Sequence, residues 1–322
     1  WSEPITYIPD KLRWTEVVTT EPDGYEEDEG GNIFISSAEG LAWLSSKVNG
    51  LNGQERNSLD RKRIYLMNDI DLSQYRWMPI GMSDETSTYS VSLCGNNHSI
   101  RGLYINELAD YLGLFGYAFE INIFNTQLNE CKIFGEVNIG ALVGYAHSST
   151  IRNCTVRGQL HGIQFIGGLI GYDSHSTIQN SCFIGDILCR TNITKFNTIS
   201  GHIGGIAGVS HESILANCYV VSEIPDTIAY TGVFSGSGGS VDVLSNCYYK
   251  DYIGHPNLTG GGGNLVDNSA FYGTACSWLL KNPSYVNGAF RTDLVNALNA
   301  WVDENNAEGQ YLHWVADTAG VN

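Results

Sequence analysis

The side chains best suited to chemistry in this sequence are tyrosines and histidines that recur every 27 or 28 residues. Tyr117, Tyr145 and Tyr172 each close a short glycine-bounded apolar run, and His147 and His175 follow the second and third of these runs. Aromatic rings in an outward-facing strip can stack on sugars, whereas rings that face inward or lie along a turn serve packing. The pattern leaves both roles open for the tyrosines and predicts turn positions for the two histidines.

Known arrangements of catalytic residues are incomplete in this chain. His211-Glu212 begins like the H-E-x-x-H pattern of zinc peptidases but lacks the second histidine, and Gly236-Ser237-Gly238 matches a nucleophile elbow only superficially. A polysaccharide lyase or hydrolase would gather carboxylates, or a base such as Lys or Arg, along one face. Asp173, Asp186 and Glu212 are instead isolated in the sequence. We therefore expect no catalytic residues, no metal site and no cofactor.

The composition and charge limit the partners that this chain can bind. The chain has 322 residues, 37 glycines, 16% charged residues and a formal net charge of −17. Such an acidic chain repels phosphate backbones, which argues against nucleic-acid binding. Residues 1–32 form an acidic N-terminal segment that includes Glu26-Glu27-Asp28-Glu29. We expect this segment to be solvated. No apolar run reaches 18 residues, so any membrane attachment would need an anchor outside this chain.

An internal repeat dominates residues 111–250. Its closing glycines are Gly116, Gly144, Gly171, Gly208 and Gly236, at steps of 28, 27, 37 and 28 residues. Each repeat contains short β-type runs and no helical stretch of ten residues, so a strand–helix–strand unit does not fit. A helix-free unit of this length can form one turn of a solenoid whose strands stack in parallel. The repeat predicts an all-β fold, a right-handed parallel β-helix over residues 33–322.

Stacked repeats predict ladders of identical side chains. The asparagines of one repeat position would form a hydrogen-bonded structural column: Asn125, Asn153, Asn180, Asn217 and Asn246. The cysteines Cys154, Cys182, Cys218 and Cys247 would form a second, buried column of thiols, with disulfides between neighbouring turns as an alternative.

The repeat is interrupted by an insertion at residues 188–200, which contains Arg190, Lys195 and Phe196. Insertions in solenoids project as loops and often lie on the binding face, although many are ordinary tolerated loops. Arg190, Lys195 and Phe196 are therefore candidate ligand-binding residues together with the tyrosine column.

Both ends of the solenoid need a cover, because exposed strand edges promote aggregation. Ser36-Ser37-Ala38-Glu39 has capping-box spacing and predicts a helix over about 37–48. Leu294, Ala297, Leu298 and Trp301 recur at helical spacing, which predicts a second short helix within a C-terminal cap over about 291–317. A strand is expected at residues 311–315, and both helices are expected to plug the ends.

The repeat resembles that of the GLUG-motif proteins, which are named for a Gly-Leu-apolar-Gly unit. The resemblance rests on Gly113–Tyr117, Gly140–Tyr145, Gly167–Tyr172 and Gly204–Gly208, with the Asn-Cys element after the last three. The last copy departs from the pattern, with Phe234-Ser235 inside the motif. The resemblance implies a bacterial protein that is secreted or anchored at the cell surface or outer membrane, of a kind described as adhesins. Similar repeats also occur in non-catalytic regions of proteases that cut immunoglobulin A.

The function expected from these observations is non-catalytic adhesion or recognition, with a host or dietary glycan or glycoprotein as the partner. Two alternatives stay open. One is a β-helical polysaccharide lyase or hydrolase, and the other is a structural stalk or the non-catalytic region of an immunoglobulin-A-type protease.

Overall fold

The computed structural model describes residues 11–83, 88–190, 201–223, 231–236, 241–249 and 289–315. These residues form a β-solenoid of about seven turns, in which four sheets run along the length of the molecule. Every strand pair among them is parallel except the first, which joins β1 (Tyr25–Glu27) to β2 (Asn32–Ile35). The predicted parallel β-helical architecture is therefore confirmed.

The first two sheets hold the longest ladders. Sheet 1 contains β1 (Tyr25–Glu27), β2 (Asn32–Ile35), β3 (Arg63–Leu66), β6 (Ser92–Cys94), β10 (Asn122–Phe124), β14 (Thr150–Arg152), β18 (Thr177–Gln179), β22 (Ser213–Ala216) and β25 (Val241–Ser245). Sheet 2 contains β4 (Ile70–Asp71), β7 (Ser99–Arg101), β8 (Tyr104–Asn106), β11 (Gln127–Phe134), β15 (Thr155–Gly162), β19 (Cys182–Cys189), β23 (Tyr219–Glu223) and β26 (Tyr248–Tyr249).

Two shorter sheets form the remaining sides of the solenoid. Sheet 3 contains β12 (Val137–Gly140), β16 (Gln164–Gly167), β20 (Ile203–Gly204) and β24 (Thr231–Gly232). Sheet 4 contains β5 (Thr88–Tyr89), β9 (Phe115–Phe119), β13 (Val143–His147), β17 (Ile170–Ser174) and β21 (Ala207–His211). The segment 62–110 supplies strands β3 to β8 at the N-terminal end.

Apolar side chains at matching positions build the core. In sheet 1, Ile123 lies beside Ile151, which lies beside Ile178, and all three are fully buried. Each such side chain removed from water stabilises the fold by about 1.5–3 kcal/mol. Because side chains alternate between the two faces of a strand, this column also fixes which residues of each turn face solvent.

The repeated glycines lie where two backbones come too close for a side chain. A Cβ atom on Gly144 would lie 2.5 Å from the main-chain carbon of Tyr111, and one on Gly171 would lie 2.4 Å from that of Asn138. The recurrence of glycine in the motif therefore reflects packing at a corner of the solenoid and not phosphate binding.

The predicted asparagine ladder is present at the corner between sheets 1 and 2. All five asparagines have a positive φ between 50° and 56°, a conformation that asparagine tolerates better than most residues. Asn153 donates from Nδ2 to Oδ1 of Asn125 at 2.7 Å, and Asn180 donates to Asn153 in the same way. The ladder continues through Asn217 and Asn246.

The cysteine column differs from the prediction by one residue. Cys154, Cys218 and Cys247 each follow a ladder asparagine, but the third copy reads Asn180-Ser181-Cys182. Ser181 therefore takes the column position, and its hydroxyl accepts from the Cys154 amide at 3.1 Å. Cys182 instead starts β19 beside Thr155. The described cysteines are thiols without a disulfide among them.

The N-terminal cap is more extensive than the sequence suggested. Helix α2 (Ala38–Asn49) begins after Ser37, whose Oγ accepts from the Gly40 amide, so the N-cap lies one residue later than the capping-box spacing implied. Helix α1 (Trp14–Val17) packs beside it. Trp14 is 2% exposed and donates to the Leu72 carbonyl, so the residues around it pack on the solenoid. Glu26, Glu27, Asp28 and Glu29 are exposed, so the acidic segment is solvated only in part.

The C-terminal helix α3 (Ala289–Asn305) is present as predicted, but its location differs from an end plug. In the part of the chain that the structure describes, its hydrogen bonds and those of residues 306–315 join it to the side of the solenoid. Asn217 donates to the Leu298 carbonyl at 3.2 Å, and Asn180 donates to the Leu312 carbonyl at 2.8 Å. Residues 311–315 form no strand, because ladder amides and not a strand edge provide their partners.

Candidate ligand-binding sites

The three tyrosines singled out from the sequence form one outward-facing stack on sheet 4. Tyr145 pairs in register with Tyr117 on one side and Tyr172 on the other. Its neighbours Val143 and Ala146 are fully buried, whereas Tyr145 itself is half-buried. The ring centroids are 4.3 Å and 5.2 Å apart, with interplanar angles of 9° and 12°.

This stacking restricts what the column can bind. A sugar packs on the flat face of an aromatic ring, but both faces of Tyr145 are covered by the neighbouring tyrosines. Tyr111 meets Tyr117 edge-on at 5.0 Å, and Phe165 meets Tyr172 edge-on at 5.7 Å. Of the two roles that the sequence left open, sugar binding and packing, the geometry thus favours packing for this column.

We expect Tyr145→Ala to lower the free energy of unfolding by about 2–3 kcal/mol, because two stacking contacts and part of the buried ring area are lost. Tyr145→Phe keeps the stack and should stay within about 0.5 kcal/mol of wild type. Tyr89→Ala is the matched control, since Tyr89 lies on the same sheet but is 46% exposed. Denaturant unfolding measures the effect, and equal losses for Tyr145→Ala and Tyr89→Ala would contradict a packing role.

Arg190, the described candidate from the insertion, lies at a different corner. The Arg190 guanidinium lies over the Phe134 ring, 3.8 Å from its centroid, and donates to the Gly135 carbonyl at 2.7 Å. Partial burial lowers the pKa of Arg190. These contacts belong to the junction of sheets 2 and 3, away from the tyrosine stack on sheet 4. Lys195 and Phe196 lie outside the described residues.

A groove that the sequence did not reveal runs along the asparagine ladder. The C-terminal segment crosses several turns of the solenoid and is held there by ladder amides. Trp314 donates from Nε1 to Oδ1 of Asn180 at 2.5 Å, and Leu312 donates its amide to Oδ1 of Asn153 at 3.2 Å. The space between this segment and sheet 2 is a groove of about 300 Å³.

The lining of the groove is polar and aromatic. It consists of amide, hydroxyl, guanidinium, imidazole and aromatic groups with two aliphatic side chains: Asn97, Asn125, Gln127, Asn153, Thr155, Arg157, Asn180, Tyr219, Leu312, His313, Trp314 and Val315. None of these lining residues is a carboxylate, although the chain as a whole carries a net charge of −17. Amides and guanidinium groups bind hydroxyls by hydrogen bonding, and aromatic rings bind the apolar faces of sugars.

The buried titratable groups provide no nucleophile or acid pair in the described part of the chain. Burial raises the pKa of the Cys131 and Cys154 thiols to about 12, so both are protonated and unreactive at neutral pH. Asp173 is fully buried, and desolvation raises its pKa to about 6. Its nearest ladder neighbours are Ala146 and Ser210, not a second carboxylate.

Sequence reasoning missed the groove for a physical reason. Gln127 and Thr155 occupy matching positions just after the asparagine ladder, so their common face was readable from the repeat. The opposite wall comes from residues 312–315, which are more than a hundred residues away in the chain. No periodicity connects that segment to the ladder.

The fold and repeat define a class of protein: a parallel β-solenoid built from turns of about 27 residues with glycine corners and an asparagine ladder. A family model described as the GLUG motif matches residues 135–160, which cover β12, β13, β14 and most of β15. The match is consistent with the GLUG-motif repeat family and confirms the resemblance seen in the sequence.

Two further comparisons complete this result. A crystal structure of a Bacteroides ovatus protein, provisionally named an immunoglobulin A1 protease, aligns over 80% of this chain and 89% of its own with a TM-score of 0.47 and 16% identity. No match was found among curated proteins. Within the described residues, no helix is both long enough and apolar enough to span a bilayer.

Proposed function

We propose that this protein is a non-catalytic recognition module that binds an oligosaccharide in the groove beside the asparagine ladder. The observation that carries the proposal is the composition of the groove lining, which combines amides, Arg157, Tyr219 and Trp314 without a carboxylate. A glycoside hydrolase needs a pair of carboxylates, and a lining without one suits binding better than cleavage.

Rigidity also supports binding at this place. Asn125 and Asn153 are held by ladder hydrogen bonds of 2.7 Å, and Trp314 is anchored to Asn180. A preorganised groove loses little conformational entropy when a ligand binds, which raises affinity for a flexible glycan. Gln127 and Arg157 lie on sheet 2 and offer further hydrogen-bond donors to sugar hydroxyls.

The cellular setting follows from the same proposal. A module of this kind would act at the bacterial cell surface or after secretion, with host or dietary glycans and glycoproteins as partners. The resemblance to GLUG-motif proteins and the elongated solenoid support this setting, because an extended scaffold presents a lateral groove to large ligands.

A glycan array tests the proposal directly. We expect the full chain to bind a subset of oligosaccharides, and Arg157→Ala combined with Gln127→Ala to weaken that binding by about tenfold or more, as expected when two polar contacts are lost. The double variant should fold normally, because neither side chain is buried.

Lys132→Ala is the matched control, since Lys132 lies exposed on the same sheet but does not line the groove. Equal weakening by Lys132→Ala would indicate a nonspecific charge effect. A flat array with wild-type protein would overturn the proposal and favour a structural stalk, whereas cleavage of any bound glycan would overturn its non-catalytic part.

A further inference from the structure

A cluster of metal-ligating side chains lies on the outer surface where sheet 4 ends. His175, His211 and Glu212 each place a ligand atom within 4.8 Å of the other two. His175 Nε2 lies 2.7 Å from Oε2 of Glu212, and the two side chains are 47% and 45% exposed. The cluster shares no residue with the groove lining or with the tyrosine stack.

The stacking of turns produces this cluster. Strand β21 ends at His211, which lies beside Ser174 of the preceding turn. The next residues, His175 and Glu212, both have a positive φ, of 59° and 52°. Equivalent backbone geometry in successive turns therefore directs the two side chains to the same side, about one strand spacing of 4.8 Å apart.

A neighbouring hydroxyl orients the first histidine. Ser174 Oγ lies 2.7 Å from Nδ1 of His175, on the side of the ring opposite to Glu212. A histidine that binds a metal through Nε2 usually donates its Nδ1 hydrogen to such a partner, which fixes the tautomer and the ring orientation. The arrangement leaves Nε2 directed at the cluster.

We propose that His175, His211 and Glu212 bind a divalent first-row transition metal of the zinc class. Two imidazoles and a carboxylate suit zinc, whereas calcium prefers a shell of oxygen ligands. Ligand atoms around tetrahedral zinc are about 3.3 Å apart for bonds of about 2.0 Å. The ligand atoms here are 2.7 Å apart for His175 and Glu212 and at most 4.8 Å apart within the cluster, so small rotations of these exposed side chains reach that separation. Water would complete the coordination.

Isothermal titration of the full, tag-free chain with ZnCl2 tests this proposal. We expect one zinc ion per chain, with His175→Ala and Glu212→Gln each weakening the affinity by at least about tenfold. Ser174→Ala should weaken it by about tenfold through loss of the orienting contact, although that residue provides no ligand. Excess CaCl2 should not displace the zinc.

Two other histidine–carboxylate pairs provide matched controls. His98 lies 3.6 Å from Asp69, and His313 lies 2.8 Å from Asp303. Neither pair belongs to a group of three ligands among the described residues, so His98→Ala and His313→Ala should leave zinc binding unchanged. The proposal is overturned if wild type binds zinc more weakly than about 1 mM, or if His175→Ala and Glu212→Gln bind it as tightly as wild type.

Discussion

Replacing Asn180 with alanine is expected to lower the free energy of unfolding by about 4 kcal/mol and to release the C-terminal segment from the solenoid. The Asn180 amide donates to Asn153 and to the Leu312 carbonyl, and it accepts from Asn217 and Trp314. Each bond contributes about 1 kcal/mol, and the fully buried Asn217 amide would lose one of its two acceptors. Alanine is also strained at a φ of 50°.

Chemical denaturation and limited proteolysis would measure the two effects. Asn180→Gly removes the amide but tolerates the left-handed backbone, so it separates hydrogen bonding from strain and should still lose about 3 kcal/mol. Asn97→Ala is the matched control, because Asn97 has a φ of 64° but is exposed. If Asn180→Ala were no worse than Asn97→Ala, the ladder would not hold the C-terminal segment.

Replacing Asp173 with asparagine is expected to stabilise the protein at pH 7 by about 2 kcal/mol. Asp173 is fully buried, and its Oδ2 accepts from Ser210 at 3.3 Å, whereas Oδ1 has no hydrogen-bond partner. The nearby hydroxyls of Ser176 and Ser213 lower the pKa of this carboxyl, but both also donate to main-chain carbonyls, and burial outweighs their effect. Ionising this carboxyl inside the solenoid is therefore costly.

The direction of the pH dependence follows from the raised pKa. Desolvation raises the pKa of Asp173 from 3.8 to about 6 in the folded state. Between these values the folded state holds the proton more tightly than the unfolded state, so stability is lost as pH rises through this window. A pKa shift of this size corresponds to a loss of about 3 kcal/mol of folding stability at pH 7, and Asp173→Asn should regain most of that stability.

Unfolding of wild type and Asp173→Asn at a series of pH values would check this expectation. The stabilisation should be largest above pH 6 and should nearly vanish near pH 4, where the aspartic acid is already neutral. Asp60→Asn is the control, because its side chain is 55% exposed. A difference between wild type and Asp173→Asn that did not change with pH would contradict a buried, destabilised carboxylate.

Much of the fold was predictable, because each stacked turn needs the same residue types at equivalent positions. The glycines at 144 and 171 recur where no Cβ fits, and the asparagines recur where the backbone is left-handed and a side-chain ladder can form. The helix at Ala38–Asn49 was predicted to within a residue, because its N-cap serine and apolar stripe are local signals.

The register of single residues was harder to predict. The sequence pattern placed Cys182 in the cysteine column. The column position is the residue that directly follows the ladder asparagine, and in this repeat that residue is Ser181. The facing of Tyr145 was also undecided, because apolar residues flank it on both sides in the sequence. Only the pairing of β13 with β9 and β17 shows its ring faces stacked on its neighbours.

The sequence by itself determined the repeat, the solenoid and the ladders, because these depend on contacts between equivalent positions of adjacent turns. The tertiary structure alone decided the groove and the placement of the C-terminal helix on the flank. Those features join residues such as Asn180 and Trp314, which are 134 positions apart and share no period. A contact between a repeat and a non-repeating segment depends on shape and on unused hydrogen-bonding groups, which become defined only after the turns have stacked.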